Sequence, residues 1–213
     1  MRTTKEGAVE NKLIHSIAQR LTDWVSQYQL QDELRRKKIL LAIEIFIINM
    51  SKLILIYGLA MLLRVVPLTL STHGAYALLR RYSFGLHALN STVCTVTSVC
   101  LFVLVPWSVY GIMISNSSVI LFFAIIVLCL YLYSPADTKA RPLIGKKVRQ
   151  LLKKKAILSG IVLMLITLFI SNESIKFLIT MGASYQVISI LPITYKILKR
   201  SEKNYEYYEK QRA

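Results

Sequence analysis

Five long runs of apolar residues, almost free of charge, constrain the fold of this chain more than any other feature. They are residues 39–63, 92–106, 119–133, 156–171 and 175–195. A helix needs about 20 apolar residues to cross a bilayer, and some of these runs reach that length whereas others fall short. A weaker run, Val65–Leu79, contains Pro67, His73 and Gly74 and predicts a short or broken second span. Because lipid offers the backbone no hydrogen-bond partners, such runs form helices. The sequence therefore predicts an all-α polytopic membrane protein with about six transmembrane helices.

Lysine and arginine outnumber aspartate and glutamate by 27 to 11, and the basic residues lie between the apolar runs. In a soluble protein this excess would suggest a nucleic-acid partner, but this distribution is typical of loops held on the cytoplasmic side of a membrane. It predicts a multi-pass protein of the cell membrane with both termini in the cytoplasm. We interpret residues 1–213 as a single integral membrane domain. Its expected parts are a cytoplasmic amphipathic segment 1–38, a transmembrane bundle 39–195 with a cytoplasmic basic loop 134–155, and a cytoplasmic tail 196–213.

Residues 8–30 have the periodicity of an amphipathic helix. The apolar positions recur at intervals of three and four and are Ile14, Ile17, Leu21, Trp24 and Tyr28. Such a helix can lie in the membrane interface with its tryptophan at headgroup depth. Packing against the cytoplasmic loops of the chain itself is an equally good interpretation.

Cys94 is the candidate nucleophile, and His87 is its candidate partner. They are seven residues apart, where the basic pair Arg80-Arg81 leads into an apolar run. A thiolate is the reactive form of cysteine, and a nearby imidazolium or arginine favours it, whereas an apolar wall alone favours the neutral thiol. Such a pair within ten residues is common, so the spacing alone is weak support for catalysis. Cys100 and Cys129 have no basic neighbour and are interpreted as packing residues.

A direct contact between His87 and Cys94 requires a break in the helix. Seven residues of continuous helix rise about 10.5 Å, which exceeds hydrogen-bond reach. Gly85 is placed to allow the break, because glycine adopts backbone conformations that other residues avoid. We therefore expect His87 to lie on a turn that folds back toward Cys94.

The spacing Arg80-x4-Gly85-x-His87-x6-Cys94 closely resembles the accessory gene regulator B (AgrB) family of Gram-positive quorum-sensing endopeptidases. A second segment, Ser134–Leu143 with the sequence SPADTKARPL, is similar to the loop that follows the fourth span in that family. Length, basic charge and the multi-span layout also agree, so the resemblance extends over nearly the whole chain. Leu86 departs from it, because many relatives carry a second glycine there.

The resemblance implies a membrane cysteine endopeptidase that removes the C-terminal part of an AgrD-type propeptide and joins the new C-terminus to an internal cysteine as a thiolactone. It implies His87 as general base and Cys94 as nucleophile, with Arg80 and Gly85 as supporting residues. The expected partners are the propeptide and the lipid bilayer. The sequence leaves open whether the chain forms a homodimer. No cofactor or metal is expected, because the three histidines are scattered and no nucleotide-binding glycine motif occurs.

The basic stretch Thr138–Lys155 contains eight basic residues and no acid. By the resemblance, the substrate has an acidic C-terminal tail, for which we expect a binding surface at Lys146, Lys147 and Arg149. Binding of lipid headgroups together with membrane topology explains the same charges equally well.

Two other functions remain compatible with the sequence. A non-catalytic peptide transporter or pore would use the charged residues inside the first apolar run, Glu44 and Lys52. An adaptor would recruit anionic lipid through residues 138–155. A test of Cys94 separates the enzyme from both, because only the enzyme needs the thiol.

Overall fold

The computed structural model describes residues 3–26, 33–86, 91–138, 142–201 and 204–210. The elements in these ranges are helices joined by turns. They are α1 (Thr3–Ser26), α2 (Glu33–Leu62), α3 (Val66–Ser83), α4 (Ser91–Val99), a π-helical turn (Cys100–Leu104), α5 (Val105–Ser108), α6 (Asn116–Tyr133), α7 (Lys146–Phe169), α8 (Glu173–Ile190), α9 (Pro192–Ile197) and α10 (Asn204–Lys210). The all-α prediction is confirmed for this part of the chain.

Three helical segments within the described ranges are long and apolar enough to cross a membrane: α2, the run Ser91–Ser108, and α6. The predicted number of six spans is not confirmed. Helices α3, α7 and α8 are present where the second, fifth and sixth spans were expected, but none has a long enough stretch of sufficiently apolar residues. Two arginines end α3, basic residues begin α7, and polar side chains such as Glu173, Lys176 and Gln186 interrupt α8. Helix α3 is also continuous through His73 and Gly74, where a break was considered.

Helices α3 and α8 form the most extensive helix pair and lie at the centre of the bundle, with α6 and α7 packed beside them. The close approach depends on Gly182 of α8, because a Cβ atom there would lie 2.1 Å from the carbonyl oxygen of Thr72. Buried apolar side chains, among them Leu79, Phe123 and Leu130, fill the space between these helices. The C-terminal half of α3 is therefore held on several sides by apolar packing.

The apolar run 92–106 is helical and contains a π-helical turn at Cys100–Leu104, two residues before Pro106. Proline has no N–H group to donate to the helical ladder, and the Val105 N–H bonds back to the carbonyl of Cys100. Phe102 of this turn is buried in a cluster of apolar side chains that includes Leu178 of α8. The π-helical turn thus fixes the far end of the helix that bears Cys94.

The predicted amphipathic segment is helical over residues 3–26. This helix, α1, packs against α2. His15 Nδ1 lies 2.5 Å from Glu44 Oε1, and Arg36 pairs with Asp23. Ile17, Leu21 and Trp24 remain exposed. Glu44 therefore has a partner on another helix, as its position inside an apolar run requires. The exposure of Ile17 and Leu21 is compatible with contact between α1 and lipid.

Two predicted boundaries are corrected by the structure. The expected loop 134–155 ends at Gly145, because Lys146 begins α7. Residues 146–155 are lysine, arginine, leucine, glutamine and one valine, and all of these but valine are good helix formers. The basic residues between 146 and 155 therefore lie on the first turns of α7. Residues 33–38, assigned to the N-terminal segment, belong to α2. The same helix-forming residue types extend α2 toward the N-terminus, beyond the apolar run 39–63.

The C-terminal residues, expected as a charged tail, include helix α10, which is anchored to the segment between α6 and α7. The buried Asp137 carboxylate accepts hydrogen bonds from the Asn204 N–H at 3.0 Å and the Tyr205 N–H at 2.8 Å. A carboxylate is well suited to this position, because the first N–H groups of a helix lack partners. Arg149 Nη1 donates to Glu209 Oε1 at 2.6 Å, and the Gly145 N–H donates to the same oxygen at 2.9 Å.

The anchoring of α10 should depend on the charge of Glu209. The hydrogen bond from Arg149, and then that from Gly145, hold the pKa of the Glu209 carboxyl below its ordinary value. Because this pKa is lowered, the ionised carboxylate stabilises the contact at every pH above the ordinary pKa of glutamate. The stabilisation is lost as the pH falls through the lowered pKa. We expect Glu209→Gln to loosen α10 about threefold at neutral pH, a modest effect because the pair is partly exposed to solvent.

The measurement is the mobility of a spin label at Lys210, in a chain whose three native cysteines are replaced. Glu206→Gln, an exposed carboxylate on the same helix, is the matched control and should leave the mobility unchanged. Equal mobility in the two variants, or a pH response that persists in Glu209→Gln, contradicts this account.

Candidate active site

The turn after α3 brings together the two segments singled out in the sequence. Phe84 has φ 56° and Gly85 has φ 110°, so the chain leaves the helix abruptly. The Ala136 N–H donates to the Ser83 carbonyl at 2.9 Å, and the Gly85 N–H donates to the Ala136 carbonyl at 3.0 Å. The loop that begins at Ser134 therefore forms one side of the turn that leads to residue 87.

Helix α8 forms the other side of this turn. The fully buried Gln186 donates through Nε2 to the Phe84 carbonyl at 2.6 Å and to Ser83 Oγ at 2.7 Å. One turn later, the Ser189 carbonyl accepts from the Leu86 N–H at 3.2 Å. Sequence reasoning missed Gln186; the available signal was a glutamine inside an apolar run, where polar side chains are costly and usually bonded.

Arg80 connects the end of α3 to the turn. Its Nη2 donates to the Leu86 carbonyl at 2.7 Å and its Nη1 donates to Gln186 Oε1 at 3.3 Å. The guanidinium carbon lies 5.3 Å from the centre of the Tyr76 ring, within the range of a cation–π contact. Both hydrogen-bond acceptors are neutral, so these bonds orient the guanidinium without cancelling its charge.

Cys94 lies in the first turn of α4 and is half-buried on the wall of a cavity of about 600 Å³. The lining residues of this Cys94 cavity are Tyr76, Arg80, Leu86, Val93, Cys94, Thr97, Ser98, Leu101, Phe102, Tyr185, Ile188, Ser189, Thr194, Leu198 and Arg200. Among the described residues, this lining contains two arginines and no carboxylate. A nucleophilic cysteine needs positive charge nearby, and the two arginines on the walls of this cavity can supply it.

A second cavity of about 410 Å³ adjoins the first, with Tyr76 and Arg80 on the walls of both. It is lined further by His73, Arg81 and Thr138, and among its described lining residues there is no carboxylate. The end of α3 thus lies between an apolar cavity that contains the thiol and a smaller basic cavity.

His87 lies outside the described residues, so its contact with Cys94 stays a prediction. The residues on both sides of the gap limit its position: Leu86 is fixed by Arg80 and Ser189, and α4 begins at Ser91. Gly85 and Leu86 are not helical, which confirms the predicted break between α3 and the helix of Cys94.

The other predicted residues lie elsewhere. Cys100 begins the π-helical turn and Cys129 lies on α6, and neither is on the wall of the Cys94 cavity. Lys146 and Lys147 are exposed at the start of α7, whereas Arg149 is held by Glu209. Lys146 and Arg149 line a separate cavity of about 310 Å³ with Asp137 and Lys153. Within the described ranges, no three histidine, cysteine, aspartate or glutamate side chains are grouped as a metal site.

Comparison with known proteins gives a consistent match. Residues 18–190 match the sequence profile of the family described as Accessory gene regulator B. An AgrB-like protein of Listeria innocua is 43% identical over 178 residues, which cover 84% of this chain and 87% of that protein. An AgrB-like protein of Clostridium acetobutylicum is 43% identical over 81% of this chain and 83% of its own length. Accessory gene regulator protein B of Staphylococcus lugdunensis is 31% identical over 85% and 96%, respectively. No solved structure matches the chain.

Proposed function

Because the chain belongs to the Accessory gene regulator B family, which implies a role in processing the autoinducer of such a system and association with an AgrD propeptide, we propose that it is a membrane cysteine endopeptidase. It cleaves the C-terminal part of an AgrD-type propeptide and couples cleavage to formation of a thiolactone. The observation that carries this proposal is the position of Cys94, in the first turn of α4, on a cavity whose described lining residues include two arginines and no carboxylate.

In the first step, the Cys94 thiolate attacks the scissile carbonyl carbon and the C–N bond breaks. His87 takes the thiol proton and returns it to the leaving amine, so the released C-terminal part departs as a neutral amine. The product is an acyl-thioester between Cys94 and the N-terminal part of the propeptide. The role of His87 is carried by the resemblance of Arg80, Gly85, His87 and Cys94 to the family motif.

In the second step, a cysteine thiolate of the bound peptide attacks the thioester. The new C–S bond closes the ring, and the C–S bond to Cys94 breaks, which regenerates the enzyme thiolate. One thioester replaces another, so water must be excluded, because hydrolysis is far more favourable. The apolar walls formed by Leu101, Phe102 and Ile188 serve that purpose. Holding the peptide thiol close supplies the high effective concentration that ring closure needs.

We place this site at the cytoplasmic face of a multi-pass protein of the cell membrane, with both termini in the cytoplasm. The basic residues near the ends of α3, α7 and α9 support this orientation. The test of the function is co-expression with the small peptide encoded by the reading frame next to the gene, followed by mass spectrometry of the precursor. A transporter or pore would release uncleaved peptide and would not need Cys94.

Lys146 and Lys147 are proposed to attract the acidic tail of the propeptide. Both are exposed at the start of α7, whereas Arg149 is engaged by Glu209. We expect reversal of both lysines to glutamate to lower the cleavage rate about threefold to tenfold at low salt and less at high salt, because exposed charges steer binding through a screened field.

Lys196→Glu combined with Lys210→Glu gives the same change in net charge on exposed residues outside this surface. Adding lysines to the substrate tail should restore part of the loss in the first double variant alone. Wild-type cleavage by that variant at low salt shows that these charges serve lipid binding or topology instead.

A further inference from the structure

We propose that Gln186 is a positioning residue for this reaction: its side-chain amide sets the path of the chain up to Leu86 and the orientation of Arg80, which lines the same cavity as Cys94. The inference rests on the proposed function of Cys94 as nucleophile. It concerns a residue near the C-terminal end of α8, far from the sequence motif, whose side-chain amide donates to the turn and accepts from Arg80.

Both the nitrogen and the oxygen of the Gln186 amide are hydrogen-bonded. Its Nε2 donates to Ser83 Oγ and to the Phe84 carbonyl, at 2.7 and 2.6 Å. Its Oε1 accepts from Arg80 Nη1 at 3.3 Å. It also lies 3.1 Å from Ser189 Oγ, which shares its one hydrogen with the Gln186 backbone carbonyl at 2.8 Å. Because both amide donors are used and the amide oxygen accepts from Arg80, the amide has one orientation and holds Ser83, Phe84 and Arg80 in fixed relation.

The donor side of the amide holds the turn. Phe84 has a positive φ, which is uncommon outside glycine and persists only where the surroundings enforce it. Gln186 bonds the carbonyl of this residue, and the Ser189 carbonyl, one turn along α8, bonds the N–H of Leu86. Helix α8 thereby fixes the backbone on either side of Gly85, up to the residue directly before His87.

The acceptor side of the amide holds Arg80. The guanidinium is bonded to Gln186 Oε1 and to the Leu86 carbonyl, and it lies on the wall of the Cys94 cavity. Because both acceptors are neutral, the positive charge stays available to the thiolate and to the oxygen that becomes negative in the tetrahedral intermediate. A carboxylate in place of the amide would pair with Arg80 and reduce the positive potential at Cys94.

A purely structural role explains these contacts less well. A leucine of similar volume would fill the same space between α3 and α8 without the cost of burying an amide. The network instead joins three elements that meet at the turn: α3 through Arg80 and Ser83, the turn through Phe84, and α8 through Ser189. The two interpretations differ in what they predict for activity and for the reactivity of Cys94.

The experiment compares Gln186→Leu and Gln186→Glu with Thr180→Val. Thr180 is a buried polar residue of the same helix whose hydroxyl donates only to the carbonyl of Lys176, within α8. Two properties are measured in the full-length protein in membranes: the kcat and KM of cleavage of the neighbouring-frame peptide, and the pH dependence of Cys94 alkylation by iodoacetamide with Cys100 and Cys129 replaced by alanine.

We expect Gln186→Leu to lower kcat roughly 100-fold with little change in KM, as for a small displacement of catalytic groups. Gln186→Glu should move the rise of Cys94 alkylation to higher pH, since the carboxylate faces Arg80. Among the described residues, the other titratable or charged groups on this cavity are Tyr76 of α3, Tyr185 of α8 and Arg200 after α9, and they stay the same in all variants. Thr180→Val should match the wild type in both measurements.

The proposal is overturned if Gln186→Leu keeps the wild-type kcat, or if the alkylation profile of Gln186→Glu coincides with that of the wild type. Should Gln186→Leu fail to reach the membrane, the Gln186→Glu profile decides, because it is read on inserted protein. Loss of cleavage in Cys94→Ser with normal cleavage in Gln186→Leu leaves the proposed function standing and removes only the role of Gln186. If the wild type itself does not cleave, the proposed function fails, and the alkylation arm still decides whether Gln186 acts on Cys94.

Discussion

Replacing Cys94 with serine, or His87 with alanine, is expected to abolish propeptide cleavage and leave the amount of protein in the membrane unchanged. Serine keeps the volume of the side chain but has a hydroxyl of much higher pKa, so it cannot supply a thiolate. Loss of a nucleophile or its base typically lowers kcat by about 10⁴ to 10⁶. Mass spectrometry of the co-expressed precursor would therefore show intact peptide only.

Cys100→Ala and Cys129→Ala are the matched controls. Both thiols are half-buried, on the π-helical turn and on α6, and neither reaches the Cys94 cavity. Each variant should cleave at close to the wild-type rate. Cleavage by Cys94→Ser or by His87→Ala removes the proposed dyad, and an inactive but inserted Cys129→Ala would show that a different thiol is involved.

The apolar runs predicted the helices well because their signal is local. A long uncharged run forms a helix in lipid whatever its neighbours are, and α2 and α6 follow the predicted runs closely. The number of spans was harder to predict, since α3, α7 and α8 combine apolar and charged residues. Whether such a helix spans the membrane depends on which face its neighbours cover, and that is a tertiary property.

The helix α10 and its anchors could not be predicted. Asp137 caps a helix that begins at Asn204, and Arg149 pairs with Glu209, so both contacts join residues that are distant in sequence. A single sequence shows the charges but not their partners. For the same reason, Arg149 was grouped with the exposed Lys146 and Lys147, although the structure pairs it with Glu209.

The site shows the same division. The motif containing Arg80, Gly85 and Cys94 was found from spacing and resemblance, and the structure places Arg80 and Cys94 on one cavity. The partner helix was not found, because nothing local connects Gln186 to residues more than a hundred positions earlier. A polar side chain in an apolar run does indicate that a partner exists, but it does not name that partner.

Gly85→Ala should reduce cleavage by roughly 10- to 100-fold, the loss expected when catalytic groups are displaced by a fraction of an ångström to 1 Å. At φ 110°, an alanine is strained by about 1–2 kcal/mol. Its Cβ would also lie 2.7 Å from Ser189 Oγ and 3.1 Å from the Ser189 carbonyl oxygen. The hydroxyl can rotate away, but the carbonyl is the acceptor for the Leu86 N–H, so the turn itself must shift.

Two other glycines separate strain from crowding. Gly111 has φ 108° and open space where a Cβ atom would lie, and Gly74 lies in α3 with similar space and an ordinary helical backbone. Gly111→Ala should lower thermal stability by the strain alone and keep the cleavage rate per folded molecule. Gly74→Ala should be neutral or stabilising by up to about 1 kcal/mol, because alanine favours a helix. Only Gly85→Ala should lower the rate per folded molecule, and a loss equal to that of Gly111→Ala would show that the contact with Ser189 does not position the residues that follow it.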